Sequence, residues 1–236
     1  MFKKIMDFFK NNKSIQKPQP LNKKVPSSIR DNSKSIRKGE LGEYKINIQL
    51  DQLPKDCKYL SDLLVSNSKS RTGYSQIDHL VISPYGLFVI ETKNYSGEIK
   101  GKRDDKNWFV NNKFKMFNPL RQNYGHVKAI ENITQSYKKL NFISMISFTM
   151  RCRFSIDPEL RKISSNELIV YDVELSEFIG RKLIRLAVEY PEPFLNNEDI
   201  IHIYNLLVKA NIVDLKIRVE HVEKASGKKG DRESLG

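Results

Sequence analysis

The sequence is poor in cysteine. Cys57 and Cys152 are too few for a disulfide scaffold or a four-cysteine zinc site, and they fit a reduced, cytosolic protein. No run approaches the roughly eighteen apolar residues of a membrane-spanning helix, and mean hydropathy is −0.52. No secretory apolar stretch follows the N-terminal lysines, so a cleaved signal peptide is not expected. A phosphate-cradling loop is missing too. Gly39-x-x-Gly42 lacks the lysine and the preceding strand, which argues against an ATP site. No internal repeat is visible. Acidic residues are outnumbered, 28 against 41 Lys and Arg, leaving a net charge of +13. Such an excess favours a polyanion or an anionic membrane as partner.

What is present suits one sizeable core: 39% hydrophobic residues, with 12 Phe and 10 Tyr. The charge is uneven. Residues 1–38 carry eleven Lys and Arg against Asp7 and Asp31. A second basic stretch, Lys100 to Lys128, holds eight cations against Asp104 and Asp105. Residues 1–12 read as a short basic amphipathic helix, with Phe2, Ile5, Met6 and Phe9 on one stripe and lysines off it. It suits the inner face of an anionic membrane or a groove on its own body. Residues 13–35 read as a flexible linker. The body spans 36–140, residues 141–222 complete the fold or form an appendage, and 223–236 form a frayed tail.

Within the body, the pattern predicts a helix over 38–50 and a strand from Tyr59 to Val65, then a polar turn. Residues 76–82 and 87–93 are β-rich and flank Ser83-Pro84-Tyr85-Gly86, a turn signal. A hairpin closed there pairs Ile82 with Leu87, Leu80 with Val89, Asp78 with Glu91 and Gln76 with Lys93. Alternation then puts Asp78, Glu91 and Lys93 on one face, and Ile77, His79, Val81, Phe88, Ile90 and Thr92 on the other. Gly97 and Gly101 break the chain beyond. Trp108–Val110 and Lys113–Lys115 flank Asn111-Asn112 as a second hairpin. Asn118-Pro119 caps a helix running to about Leu140, with Leu120, Tyr124, Val127, Ile130, Ile133 and Tyr137 as its apolar positions. Gln122 and His126 share a polar face of that helix. Ile143–Phe154 and Leu168–Tyr171 read as strands, Leu175–Gly180 as a short helix and Asn197–Ala210 as a longer one.

Two carboxylates opposed on a sheet repel each other and raise each other's pKa. A hard divalent cation offsets that repulsion. Mg²⁺, or Mn²⁺ in its place, takes one or two protein carboxylates and leaves positions for waters and phosphate oxygens. Lys93, two residues beyond Glu91, could position the water such a metal activates, which is a phosphodiester hydrolysis site. A structural salt-bridge cluster of Asp78, Glu91 and Lys93 accounts for the same spacing.

The chain resembles the NERD (nuclease-related) domain, a branch of the PD-(D/E)-x-K restriction-endonuclease-like superfamily. The resemblance rests on Gly39-Glu40-Leu41-Gly42-Glu43, Gln76-Ile77-Asp78-His79, Gly86 through Asn94, Gly97, Trp108 and Asn118 through Gln122. These segments span about residues 38–135. The resemblance implies an α/β fold, a mixed central sheet flanked by helices behind a basic N-terminal arm, and a metal-dependent nuclease site. It implies Asp78 and Glu91 as metal ligands, Lys93 as the catalytic lysine, Glu43 as a further ligand or a partner of Lys93, and Gln122 near the site or the DNA backbone. Ile77 stands where the superfamily has proline before the aspartate, which removes no ligand.

His79 reads as a packed sheet residue, and His126 as packed or as a phosphate contact. Trp108 and Phe109 read as hairpin core or as base-stacking groups. Cys57 and Cys152 have no neighbouring His or Asp motif and are not nucleophiles. The expectation is a Mg²⁺-dependent nuclease acting on DNA, with RNA equally compatible with the chemistry. Lys100, Lys102, Arg103, Lys106, Lys113, Lys115, Arg121 and His126 are its candidate nucleic-acid contacts. The rival is a non-catalytic module gripping nucleic acid or a partner protein, a homodimer included, tethered to a membrane by its first helix. A membrane-surface protein whose body is only a scaffold is a third reading.

Overall fold

The computed structural model describes residues 45–226. The chain divides into units 1–38 and 39–236, and every described residue belongs to the second. The N-terminal amphipathic helix, the linker, the start of the 38–50 helix with Glu43, and the tail past 226 lie outside the described residues.

The central hairpin forms as its turn chemistry dictates. Strands β2 (Tyr74–Ser83) and β3 (Gly86–Lys93) pair antiparallel with Ile82 opposite Leu87 and Leu80 opposite Val89. Gly86 closes the turn at φ 131°, where a Cβ would collide with the Asn141 carbonyl. β1 (Lys58–Ser66) adds antiparallel to β2. On the other side β7 (Phe142–Phe148) runs parallel to β3, and β9 (Glu167–Tyr171) parallel to β7. The result is a mixed five-stranded sheet in the order β1-β2-β3-β7-β9.

Helices cover both faces. Residues 45–50, helix α1, and α3 (Leu175–Glu189) bury Ile46, Leu50, Phe178 and Ile179 against Val81, Phe88, Ile90, Met145 and Val170. On the opposite face α2 (Pro119–Ile133) and α4 (Asn197–Ala210) bury Ala129, Ile130, Ile200, Ile203 and Leu207 against Leu80, Ile82, Leu87 and Val89. Burying each such aliphatic side chain contributes about 1.5–3 kcal/mol. Asn118 caps α2 by accepting the Leu120 N–H, and Pro119 sits in its first turn, as the sequence signals. α4 begins with a capping box between Asn196 and Asp199. The fold is therefore the expected mixed α/β sheet flanked by helices. No helix among the described residues is long and apolar enough to cross a membrane.

Several elements differ from the sequence expectation. Ile143–Phe154 is two strands. β7 ends at Phe148, and β8 (Cys152–Ile156) joins a second sheet. That sheet has the order β6-β5-β4-β8, built from β4 (Gly97–Gly101), β5 (Asn107–Val110) and β6 (Phe114–Phe117) with β8. Gly97 and Gly101 bound a strand rather than interrupt one. Asn111 and Asn112 both take left-handed backbone, φ 55° and 54°, as the second hairpin requires. Trp108 is fully buried among Ile99, Val110, Ile146, Phe148 and Ile169, where the two sheets share a core. Its Nε1 donates to the Lys102 carbonyl, 2.9 Å away.

α2 stops at Ile133, and its C-cap Thr134 donates both its N–H and its hydroxyl to the Ile130 carbonyl. Tyr124 is 59% exposed and not a core position. α3 runs nine residues past Gly180, anchored by Leu186 and by Lys182, whose buried Nζ donates to the carbonyls of Ile163, Ser164 and Ser165. A last helix, α5 (Leu215–Ser226), occupies part of the expected frayed tail.

Candidate active site

The β2–β3 ladder stops at His79 opposite Ile90. Past that pair the strands part, so Asp78–Glu91 and Gln76–Lys93 are not ladder pairs. The β1–β2 ladder is interrupted at the same level, where Asp62 opposite Asp78 adopts φ 53°. Alternation breaks there as well. Ile77 packs with Leu80 and Ile82 instead of sharing the face of Val81. Gln76 turns to Asp62, donating to Oδ1 at 3.0 Å.

The Asp78 carboxylate lies in the gap so created. Its Oδ2 accepts the Thr92 N–H at 2.7 Å and the Thr92 hydroxyl at 2.6 Å. A side chain thus takes the place of a main-chain partner for Thr92. Burial, then the Glu91 charge, raises the Asp78 pKa to about 6, against the opposing pull of Thr92 and Lys93.

Glu91 is 5% exposed and faces α2. Its Oε1 accepts from Lys93 Nζ at 2.5 Å and from Gln122 Nε2 at 2.7 Å, and Gln122 Oε1 accepts from the same Nζ at 2.9 Å. Oε2 lies 3.3 Å from His126 Nε2, in an alignment that makes no hydrogen bond. Burial works against the Glu91 charge, but His126 and Lys93 outweigh it and hold the carboxyl below its ordinary value. Asn123, the neighbour of Gln122, donates to the Val89 carbonyl and to Ser144 Oγ, 2.8 Å each. That pair of bonds fixes α2 across β3 and β7, and with it the reach of Gln122 and His126.

An open cleft of about 1370 Å³ lies over these groups. Asp78, Glu91, Gln122 and His126 line it, with Ser75 and Gln76 from β2 and Asn67, Lys69, Ser70, Arg71 and Thr72 from the loop before it. α5 closes another side through His221 and Ala225. His221 Nδ1 lies 3.0 Å from Thr72 Oγ1, and Arg71 donates to the Ala225 carbonyl. Arg218 anchors α5 on the irregular strand, donating to Asp62 Oδ2 at 2.6 Å and to the Asp62 carbonyl at 2.9 Å.

Asp78, Glu91, Lys93, Gln122 and His126 are therefore gathered as a group. Glu43 lies outside the described residues. The expected nucleic-acid contacts divide. Arg121 and His126 line the cleft, whereas Lys100, Lys102, Arg103, Lys106, Lys113 and Lys115 are exposed on the second sheet and its loops, away from it. Arg103 is paired with Glu167 at 3.0 Å. The cations on the cleft are Lys69, Arg71, Arg121 and Lys128. Lys69 and Arg71 were missed by the sequence reading, although they sit in the polar turn directly before the Asp78 strand. Thr92 was missed because strict alternation puts it on the far face.

The remaining groups are inert. His79 is buried, with Nδ1 3.0 Å from Ser61 Oγ, and burial lowers its pKa to about 4. Burial, then Asp56, raises the Cys57 thiol to about 12, and burial raises Cys152 to about 11, so neither is a ready thiolate.

The donor set suits a hard cation. Two carboxylates face one cleft, Asp78 strained toward protonation by burial and then by the Glu91 charge, beside a buried imidazole whose two nitrogens have no hydrogen-bond partner. Among the described residues no three His, Cys, Asp or Glu side chains are clustered as a metal cage. Two carboxylates with open positions match the way Mg²⁺ is usually held, not a structural site.

Comparisons with known proteins agree with this geometry. The family model described as nuclease-related domain matches residues 38–149. An uncharacterized protein of Bacillus anthracis is 33% identical over 190 residues, covering 79% of this chain and 82% of that one. No solved structure matches the chain.

Proposed function

The chain belongs to the nuclease-related domain family, and from that premise we propose that it is a metal-dependent nuclease hydrolysing phosphodiester bonds in DNA. The observation that carries this reading is the pair Asp78 and Glu91 lining a cation-rimmed cleft, with Lys93 Nζ bonded to Glu91 behind them. Asp78 and Glu91 would hold Mg²⁺ or Mn²⁺. Such an ion supplies a Lewis acid to the phosphate and water of lowered pKa. Lys93 Nζ, steered by Glu91 and Gln122, positions the attacking water and offsets charge that develops on the phosphate. Thr92 holds Asp78 by Oδ2 alone, at the lining of the cleft. Arg71, Arg121 and Lys128 bind backbone phosphates on the rim.

The test is cleavage. Asp78→Ala and Glu91→Ala are each expected to lower Mg²⁺-dependent hydrolysis of plasmid DNA by about a hundredfold or more. Near-UV circular dichroism should stay unchanged. Equal cleavage by the double variant rejects the assignment.

One observation favours a second reading, a non-catalytic binding module of the same fold. Glu91 Oε1 already has two donors within the chain, and Oε2 has an imidazole beside it. If the group is a finished salt-bridge cluster, Mg²⁺ or Mn²⁺ leaves the melting temperature unmoved. A site that binds the ion raises it with concentration.

A further inference from the structure

We propose that the outer face of the second sheet is a stacking platform for single-stranded nucleic acid, feeding the cleft. The proposal rests on the nuclease reading and names the substrate form that reading leaves open.

The sheet has two unlike faces. Trp108, Val110 and Met116 point into the shared core and are buried. The alternate positions point outward, and there the sequence puts aromatic rings instead of the small polar residues of a solvated sheet. Phe109 is 42% exposed and Phe117 51%. Register places them together. Phe109 stands between Lys100 on β4 and Lys115 on β6, its direct cross-strand partners. Phe117 is opposite Asn107, hence diagonal to Phe109, within reach of one extended base stack. On the far strand Arg153 stands opposite Glu98.

Two exposed rings flanked by flexible cations form a surface for unpaired bases and the phosphates that join them. Every base offers a π face, so such a surface tolerates any sequence but demands that the strand be unpaired. A duplex hides its faces in its own stack and gains only the phosphate contacts. One edge of the platform reaches the cleft. Phe117 lines that cleft and Arg121 follows it on α2, so a strand laid over Phe109 and Phe117 leads toward Asp78 and Glu91.

The experiment measures equilibrium binding of the full-length chain in EDTA, where metal-dependent cleavage is silent. The probes are a fluorescent single strand of mixed sequence and the same strand annealed to its complement. The native chain is expected to prefer the single strand. Phe109→Ala should weaken single-strand binding by roughly fivefold to a hundredfold and duplex binding by less than about twofold. Phe109→Trp should restore the single-strand affinity. Replacing Lys100 and Lys115 together by Gln should lower the salt slope for the single strand by about 1.4. Equal affinity for both probes overturns the proposal, as does an equal loss on both from Phe109→Ala. So does a change of oligomeric state in Phe109→Ala with nucleic-acid binding intact, which would mark the face as a protein interface. The outcomes stay separate from the cleavage test. Active-site variants that still cut would remove the nuclease assignment alone, and a missing single-strand preference would remove the platform alone.

Discussion

The two sheets hold their charged residues in opposite ways. At the candidate site on the five-stranded sheet, the carboxylates and the groups that reach them are tied down: Asp78 by Thr92, Glu91 by Lys93 and Gln122, Gln122 by Lys93. On the four-stranded sheet, Lys100 and Lys115 stand exposed beside an exposed ring and form no salt bridge among the described residues. The difference is one of task. Chemistry needs groups fixed to a fraction of an ångström, and the fixing has to offset the cost of burying charge. Contact with a flexible polymer gains from long, solvated side chains that adapt to it. Position along the chain does not separate the two kinds of lysine, since Lys93 and Lys100 are seven residues apart.

The largest effect should separate those lysines in single-turnover assays at saturating DNA. Lys93→Met is expected to slow cleavage by about a hundredfold or more. The matching change at exposed Lys113, in the turn before β6, should alter it less than about threefold. Similar losses at both would erase the contrast between a fixed and a free cation.

The next effect concerns stability in the absence of metal. Asp78 is raised from 3.8 to about 6 in the folded chain. A carboxyl raised on folding favours the folded state when protonated. Its contribution is present below about pH 4 and is lost as pH rises through 6. Asp78→Asn removes that loss, less whatever the Thr92 bonds contribute. It should stabilise the chain by about 1–3 kcal/mol at pH 7.5 and by nearly nothing at pH 4. Thermal melts in EDTA at the two pH values read this directly. Equal shifts at both would mean that Asp78 carries no such strain. His79 runs the other way. Lowered from 6.5 to about 4, it favours the fold above pH 6.5 and costs stability as pH falls through 4, so the wild-type curve needs the Asn variant as its reference.

The smallest effect tests the cleft rim. Arg71→Gln should lower duplex affinity a few fold and reduce the salt slope by about 0.9, with turnover of bound DNA retained. An unchanged slope would place the phosphate track elsewhere than on the rim.

Much of the site could be read from the residues. The turn Ser83–Gly86 fixed the register that brings Leu80 opposite Val89, although the ladder ends one pair short of Asp78 and Glu91. Helical spacing put Gln122 and His126 on one face, and both reach Glu91. The failures have physical causes. Nothing in Ile143–Phe154 says that the chain changes sheets. That is decided by tertiary bonds at the break, where Thr149 Oγ1 donates to the Tyr95 carbonyl and Gly97 donates to the Arg151 carbonyl. Gly180 reads as a stop, yet it sits in open space midway along a helix held by Leu186 and Lys182. The gap in which Asp78 lies depends on one left-handed residue, Asp62, sixteen positions earlier. Alternation applied to β2 alone could not anticipate it.

Trp108 is the only tryptophan in the chain, and its indole is sealed under the four-stranded sheet against Gly101, where any side chain would strike the ring. The molecule thus has a single indole fluorophore, and it sits in one place. Its emission monitors the small sheet and its seam with β7 and β9 of the large one. A change of intensity on adding an oligonucleotide, without the red shift of unfolding, would locate the disturbance before any label is attached.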